Sequence, residues 1–141
     1  RAIELIADGA PARAQLLLAR CKQDSADVAA AQAACLLAKN ELADALAPLQ
    51  RAADLEPAFA LHHWNLAATL HQLGDRDACL ASLRRFLTTA QTPSGLAGDP
   101  DHPARVGLAL RMVSELERTA RLARAPRRRR RRRTAAARRS E

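Results

Sequence analysis

The feature that most constrains the fold of this chain is its similarity to itself at a spacing of 34 residues. Aligning residues 26–59 with residues 60–93 places small residues on small residues and leucines on leucines. The matched pairs are Ala33/Ala67, Ala34/Ala68, Leu36/Leu70, Leu46/Leu80, Ala47/Ala81, Leu49/Leu83 and Arg51/Arg85. Asn40 falls on Gly74, and both residue types tolerate a left-handed turn. A repeat of this length is typical of stacked helix pairs, which present an extended concave surface.

The composition predicts that these units are helical. Ala and Leu carry most of the hydrophobic fraction of 48%, and the aromatic residues are only Phe59, Trp64 and Phe86. Abundant Ala, Leu, Arg and Glu favour helices, whereas strands need more β-branched and aromatic residues. We therefore expect an all-α fold.

Turn residues divide the chain into predicted helices. Besides the end of a helix at 2–7, they predict helices at about 11–22, 27–39, 41–55, 57–73, 77–89 and 103–124. Asp24 or Ser25 is expected to cap the second of these six, and Asp101 or His102 the last. Four regions follow: helical repeats at 1–90, a loop at 91–102, a capping helix at 103–125 and a tail at 126–141.

The positive charge is confined to the tail. The chain has a formal net charge of +8, but residues 1–125 carry equal numbers of acidic and basic residues. The tail carries a run of seven arginines: Arg127, Arg128, Arg129, Arg130, Arg131, Arg132 and Arg133. Because seven adjacent like charges cannot pack, we expect a disordered basic tail.

The segment 60–87 resembles a tetratricopeptide repeat (TPR). The agreeing residues are Trp64, Asn65, Leu66, Ala67, Leu70, Gly74, Asp75, Cys79, Leu83 and Phe86. The preceding unit matches more weakly, since Ala30 stands where Trp64 does and Pro48 lies inside its second helix. The resemblance covers about residues 1–90. It implies an alpha-alpha superhelix, a TPR-like solenoid of about two and a half repeats plus a capping helix.

In the TPR family the first helix of each repeat lines the concave face, which binds partner proteins. Carried over to this chain, the lining residues are Leu61, Trp64, Ala68 and His71 in one repeat and Asp27, Ala30, Ala34 and Leu37 in the preceding one. The alternative for Trp64 is that it packs only between repeats. Because this face carries no Lys or Arg, a clamp for a carboxylate is not expected, and an apolar partner segment fits better.

No motif for chemistry stands out. His62, His63 and His71 share a helix without the spacing of a metal site, and are expected to be surface or groove residues. Cys79 occupies a site where such repeats take Ala, so it is expected to be structural. No phosphate-binding glycine loop and no GxSxG elbow occur. We expect no enzyme activity, no cofactor and no metal.

These observations predict a cytoplasmic protein-interaction module whose partner is another protein or peptide. The sparse, unpaired cysteines fit a reducing compartment. The alternative is an electrostatic tether, in which the arginine run binds nucleic acid nonspecifically or an anionic surface. The chain starts at Arg1 within a helical pattern and is expected to be part of a longer protein. An upstream enzyme domain regulated by this array is a third possibility.

Overall fold

The computed structural model describes residues 9–21, 24–92 and 100–125, and six α-helices account for most of them. They are α1 (Pro11–Ala19), α2 (Ala26–Ala38), α3 (Leu42–Leu55), α4 (Ala60–Leu73), α5 (Arg76–Thr89) and α6 (His102–Arg124). No strand occurs within these ranges, so the predicted all-α fold is confirmed. The predicted helix end at 2–7, most of the loop at 91–102 and the tail at 126–141 lie outside the described residues.

The 34-residue period is present in the backbone. Helices α3 and α5 begin at Leu42 and Arg76 and end at Leu55 and Thr89, so both ends are separated by 34 residues. The turn before each helix contains a residue in the left-handed region, which is Asn40 at φ 61° and Gly74 at φ 81°. The two turns close in the same way because each supplies a residue type that adopts this conformation readily.

Helices pack as two pairs with flanking elements. The closest associations are α2 with α3 and α4 with α5, and α3 against α4 joins the two pairs. Helix α1 packs on α2, and α6 packs on α5. Small side chains lie between the helices, since Ala33, Ala45, Ala67 and Cys79 are essentially inaccessible. Small contact residues let helix axes approach closely, as in other stacked helix pairs.

The main core lies in the second pair. Leu83 and Phe86 are both 0% exposed, which confirms that they occupy bulky buried positions. Their neighbours in the cluster include Leu49, Leu66 and Leu70, and α6 contributes Val106, Ala109, Met112, Val113 and Leu116. A smaller cluster of Ala14, Leu18, Ala31 and Cys35 joins α1 to α2.

Several predicted helix ends are corrected by the structure. Helix α1 ends at Ala19 instead of continuing to about residue 22, and α4 begins at Ala60 instead of 57. Residues 56–59 form a turn, in which the Phe59 amide donates to the Glu56 carbonyl at 3.1 Å. At the start of α2, Ser25 is the cap, and its Oγ accepts from the Val28 amide at 3.3 Å.

Leu16 lies outside the core. It belongs to a run of three leucines in α1, but it is 66% exposed while Leu18 is buried. Successive helical residues are rotated by about 100°, so three adjacent leucines cannot all face α2. Pro48 does not end α3, which continues through it to Leu55.

Candidate partner-binding groove

The predicted groove lies on the first helix of each pair, α2 and α4. Six of its eight residues are half-buried, and two, Asp27 and His71, are exposed; the half-buried residues are Ala30, Ala34, Leu37, Leu61, Trp64 and Ala68. A half-buried side chain keeps contact with its own fold and still presents surface to a second molecule. These exposures are compatible with a binding face, and its use by a partner stays a prediction.

Trp64 packs against the core and is also partly exposed. Its ring lies 5.3 Å from the Phe86 ring, centroid to centroid, at an angle of 56°. It therefore packs against the main core, but it remains half-buried. The indole N–H makes no hydrogen bond with any described residue, so it can donate to a ligand. Trp64 is the largest side chain among the residues of the predicted groove.

The α2 part of the groove is lined by smaller groups. Ala30, Ala34 and Leu37 are half-buried, and Leu37 also contacts the main core. Asp27 lies in the first turn of α2 and is exposed. The predicted face thus has apolar side chains along its length and one carboxylate at its start, with no Lys or Arg. Such a face favours an apolar ligand over an anionic one.

The histidines of α4 do not form a shared surface, which corrects our expectation for two of them. His62 and His63 are 5% and 4% exposed, whereas His71 is exposed. His63 Nε2 donates to the Pro57 carbonyl at 2.8 Å, and His62 Nε2 lies 3.4 Å from Glu56 Oε2. Both imidazoles therefore hold the turn between α3 and α4.

The cysteines carry no sign of nucleophilic chemistry. Burial raises the pKa of the Cys35 and Cys79 thiols, and the nearby Asp75 carboxylate raises that of Cys79 further. Both effects oppose the thiolate, which is the reactive form. Cys21 is exposed, and its thiol donates to the Leu17 carbonyl at 3.7 Å.

Four cavities lie outside the predicted groove, and each is lined by Arg51 or Arg85 from the second helix of a pair. Two of them, of about 430 Å³ each, occupy equivalent places in the two repeats. One includes Leu36 and Ala47, and the other includes Leu70 and Ala81, the partners of those residues 34 positions later. None of the four includes a residue of the predicted groove.

The described ranges contain neither a metal-ligand cluster nor a helix suited to span a membrane. No group of three or more His, Cys, Asp or Glu side chains there could hold a metal ion. None of the six helices is both long and apolar enough to cross a membrane. Arg127–Arg133 lie outside the described residues, so the tether alternative acquires no structural support.

Two of the solved structures with a similar fold are complexes of PcrH with a chaperone binding region. Structures of PcrH with the chaperone binding region of PopD and of PopB are 22% and 19% identical to the chain, with TM-scores of 0.66 and 0.64. They cover 85% and 79% of this chain, and 86% and 87% of theirs. A T3SS complex from Aeromonas hydrophila has a TM-score of 0.68 at 15% identity, covering 84% of this chain and 77% of its own. The fold is TPR-like.

No protein-family model and no curated protein sequence matches the chain. In this TPR-like frame, α2 with α3 and α4 with α5 are the two repeats, α1 is the second helix of a preceding unit and α6 covers the last repeat. The superhelix expected from the sequence is thus present at the level of helix pairs.

The sequence analysis missed two groups that the structure brings out. One is the buried pair His62 and His63, and the other is Arg85 beside a cavity. A usable signal for Arg85 was present, because its repeat partner Arg51 was already aligned with it. The two arginines differ in the residue that faces them. Asp24 faces Arg51, and the residue 34 positions after Asp24 is Ala58.

Proposed function

We propose that this chain is a protein–protein interaction module that receives an apolar segment of another protein on the face formed by α2 and α4. The observation that carries the proposal is the exposure of that face. Its apolar side chains are half-buried along both first helices, with the chain's single tryptophan among them. The module is non-catalytic and cytoplasmic in this proposal.

The similar structures support segment binding as the mode of action. PcrH was solved with the chaperone binding region of PopD and with that of PopB. The present chain aligns with PcrH over most of both lengths, so it has the helix pairs needed for a comparable face. At 22% identity the similarity supports this mode of binding and does not identify the partner of this chain.

The chemistry of the face defines the class of ligand. Leu37, Leu61 and Trp64 supply apolar area, while Ala34 and Ala68 leave room for side chains of the ligand. An aromatic anchor of this kind often dominates an interface. The ligand expected is therefore a helix or an extended segment with apolar side chains at regular intervals.

The proposal is tested by selecting binders from a displayed random-peptide library on the full chain and measuring their affinities for variants. Trp64→Ala should weaken the selected peptides by about thirtyfold, equivalent to about 2 kcal/mol, because it removes the central anchor. Since Trp64 also packs on Phe86, Ala68→Glu is the second variant; it places a charge on the face without removing a core contact. Leu122→Ala, at a leucine of α6 that is 67% exposed, is the matched control.

The result is compared with the thermal stability of each variant. The proposal requires that Ala68→Glu abolishes binding while its melting curve stays close to that of the parent, and that Leu122→Ala changes neither. If affinity is lost only in proportion to unfolding, Trp64 is a core residue and the face is not the site. If deletion of residues 127–133 alone removes binding, the electrostatic tether replaces this proposal.

A further inference from the structure

Arg51 and Arg85 occupy equivalent positions but differ in what they bind. Arg51 Nε donates to Asp24 Oδ1 at 2.8 Å, and Arg51 Nη2 donates to Asp24 Oδ2. The guanidinium thus holds the carboxylate through two parallel hydrogen bonds, the geometry for which arginine is best suited. Asp24 directly precedes Ser25, the cap of α2.

The same arrangement is incomplete in the second repeat. Phe59 is the cap of α4, so the equivalent of Asp24 is Ala58, which has no carboxylate. Arg85 is exposed, and its guanidinium forms no hydrogen bond or ion pair in the described part of the chain. A cavity of about 450 Å³ lies beside it.

The other polar groups that line this cavity already have partners, with one exception. Arg84 donates to Glu117 at 2.7 Å, and Asp54 accepts from Gln50 at 2.8 Å. The hydroxyls of Thr88 and Thr89 donate to the carbonyls of Arg84 and Arg85, each at 2.9 Å.

The exception is His63 in the cavity wall. It is 4% exposed, and its Nδ1 is buried without a hydrogen-bond partner. Because Nε2 donates to the Pro57 carbonyl, Nδ1 of the neutral ring is an acceptor, and an N–H group next to a bound carboxylate can pair with it.

We propose that this cavity is a carboxylate-binding site, in which Arg85 holds a carboxylate from another molecule as Arg51 holds Asp24. The ligand class is an acidic group presented by a bound protein, either an aspartate side chain or a chain terminus. Arg84 is paired with Glu117 and Asp54 accepts from Gln50, so the guanidinium of Arg85 is the charge of this cavity that is available to an anion. The site lies on the second-helix side and is independent of the apolar face on α2 and α4.

The test is a titration followed by the backbone amide NMR signals of His63, Thr88 and Thr89. The probe is N-acetyl-aspartate amide, and its neutral counterpart N-acetyl-asparagine amide is the charge control at equal ionic strength. The charged probe should give saturable shifts and the neutral one none. N-acetyl-glycine, which carries a terminal carboxylate, is titrated in parallel; the probe that saturates at lower concentration identifies the source of the carboxylate.

Two arginine variants form a matched pair for this titration. Arg85→Gln should raise the half-saturating concentration of the charged probe about tenfold or more, because the charge-assisted pair is lost. Arg51→Gln should leave it unchanged, since Arg51 belongs to the other repeat. Conversely, Asp24→Ala should create a second saturable response at the amides of Val28 and Ala29 beside Arg51.

The proposal is overturned by any of three results: no saturable shift with either charged probe, equal shifts with the neutral probe, or equal losses in Arg85→Gln and Arg51→Gln. The melting curve of each variant is recorded alongside. If Arg85→Gln does not fold, Ala58→Asp replaces it, since an internal carboxylate at that position should occupy Arg85 and abolish the response.

Discussion

The two complete repeats share a backbone frame but are filled differently. Residues 26–55 and 60–89 have helices in the same register and a left-handed residue at the same turn. The first repeat is filled largely by alanine, whereas the second contains Leu66, Leu70 and Phe86 and is covered by α6. The turn residues and the small contact residues therefore determine where the helices lie. The larger side chains determine the size of the hydrophobic core in each repeat.

The two repeats also differ at two adjacent positions of their first helices. Trp64 stands where the first repeat has Ala30, and His63 stands where it has Ala29. Both substitutions enlarge the side chain, but Trp64 stays half-buried and His63 is enclosed. The second repeat therefore carries most of the features that both proposals use.

The largest expected loss of stability comes from replacing the buried aromatic residue of the second repeat by the alanine that the first repeat has at that position. Phe86 is 0% exposed, and its equivalent in the first repeat is Ala52. Phe86→Ala removes contacts with Trp64 and His102 and leaves a cavity, which should lower the free energy of unfolding by about 3–5 kcal/mol. Urea denaturation followed by circular dichroism measures this. A loss near zero would mean that the second repeat is not the main core.

The next effect tests the turns. Gly74 has φ 81°, where a side chain is strained, so Gly74→Ala should destabilise the chain by about 1–2 kcal/mol. Asn40 has φ 61° at the equivalent turn, and Asn40→Gly should change stability far less, because Asn tolerates this region. Thermal unfolding of both variants provides the comparison. Equal losses of stability in Gly74→Ala and Asn40→Gly would contradict the left-handed conformation assigned to both turns.

The smallest expected effect is a change in the pKa of Asp24, whose ion pair with Arg51 has no equivalent at Arg85 among the described residues. The hydrogen bond from Arg51 lowers the pKa of the Asp24 carboxyl, with a further contribution from its positive charge. A lowered pKa means that the pair stabilises the fold above the ordinary pKa of aspartate, and that this stabilisation is lost as pH falls through the lowered value. Carboxyl-carbon NMR should show the Asp24 pKa rising in Arg51→Gln. An unchanged pKa would contradict the pairing on which the repeat comparison rests.

The turns and the core positions could be predicted from the sequence because they depend on local residue patterns. The spacing of Asn40 and Gly74 predicted the turns, and the apolar period placed Leu83 and Phe86 in the core. The burial of His62 and His63 could not be predicted, because it depends on how the turn at 56–59 brings Glu56 and Pro57 to the imidazoles. Such a contact across a turn has no periodic signature.

The candidate groove was predictable only through the TPR resemblance. Periodicity identifies which side of a helix is apolar, but α2 is nearly apolar all round, so it cannot distinguish a core-facing alanine from a groove-facing one. Ala33 is buried and Ala34 half-buried, and the repeat register is what separates them. For Arg85, the decisive information is the absence of a carboxylate at Ala58, which a motif search does not register.

The central claim is that a ligand segment lies on the face that contains Trp64. The most direct measurement is iodide quenching of tryptophan fluorescence, because Trp64 is the chain's only tryptophan. The account predicts that Trp64, half-buried in the free chain, becomes protected from iodide when a selected apolar peptide saturates the full chain. Quenching that is unchanged at saturation would place the peptide elsewhere and contradict the account.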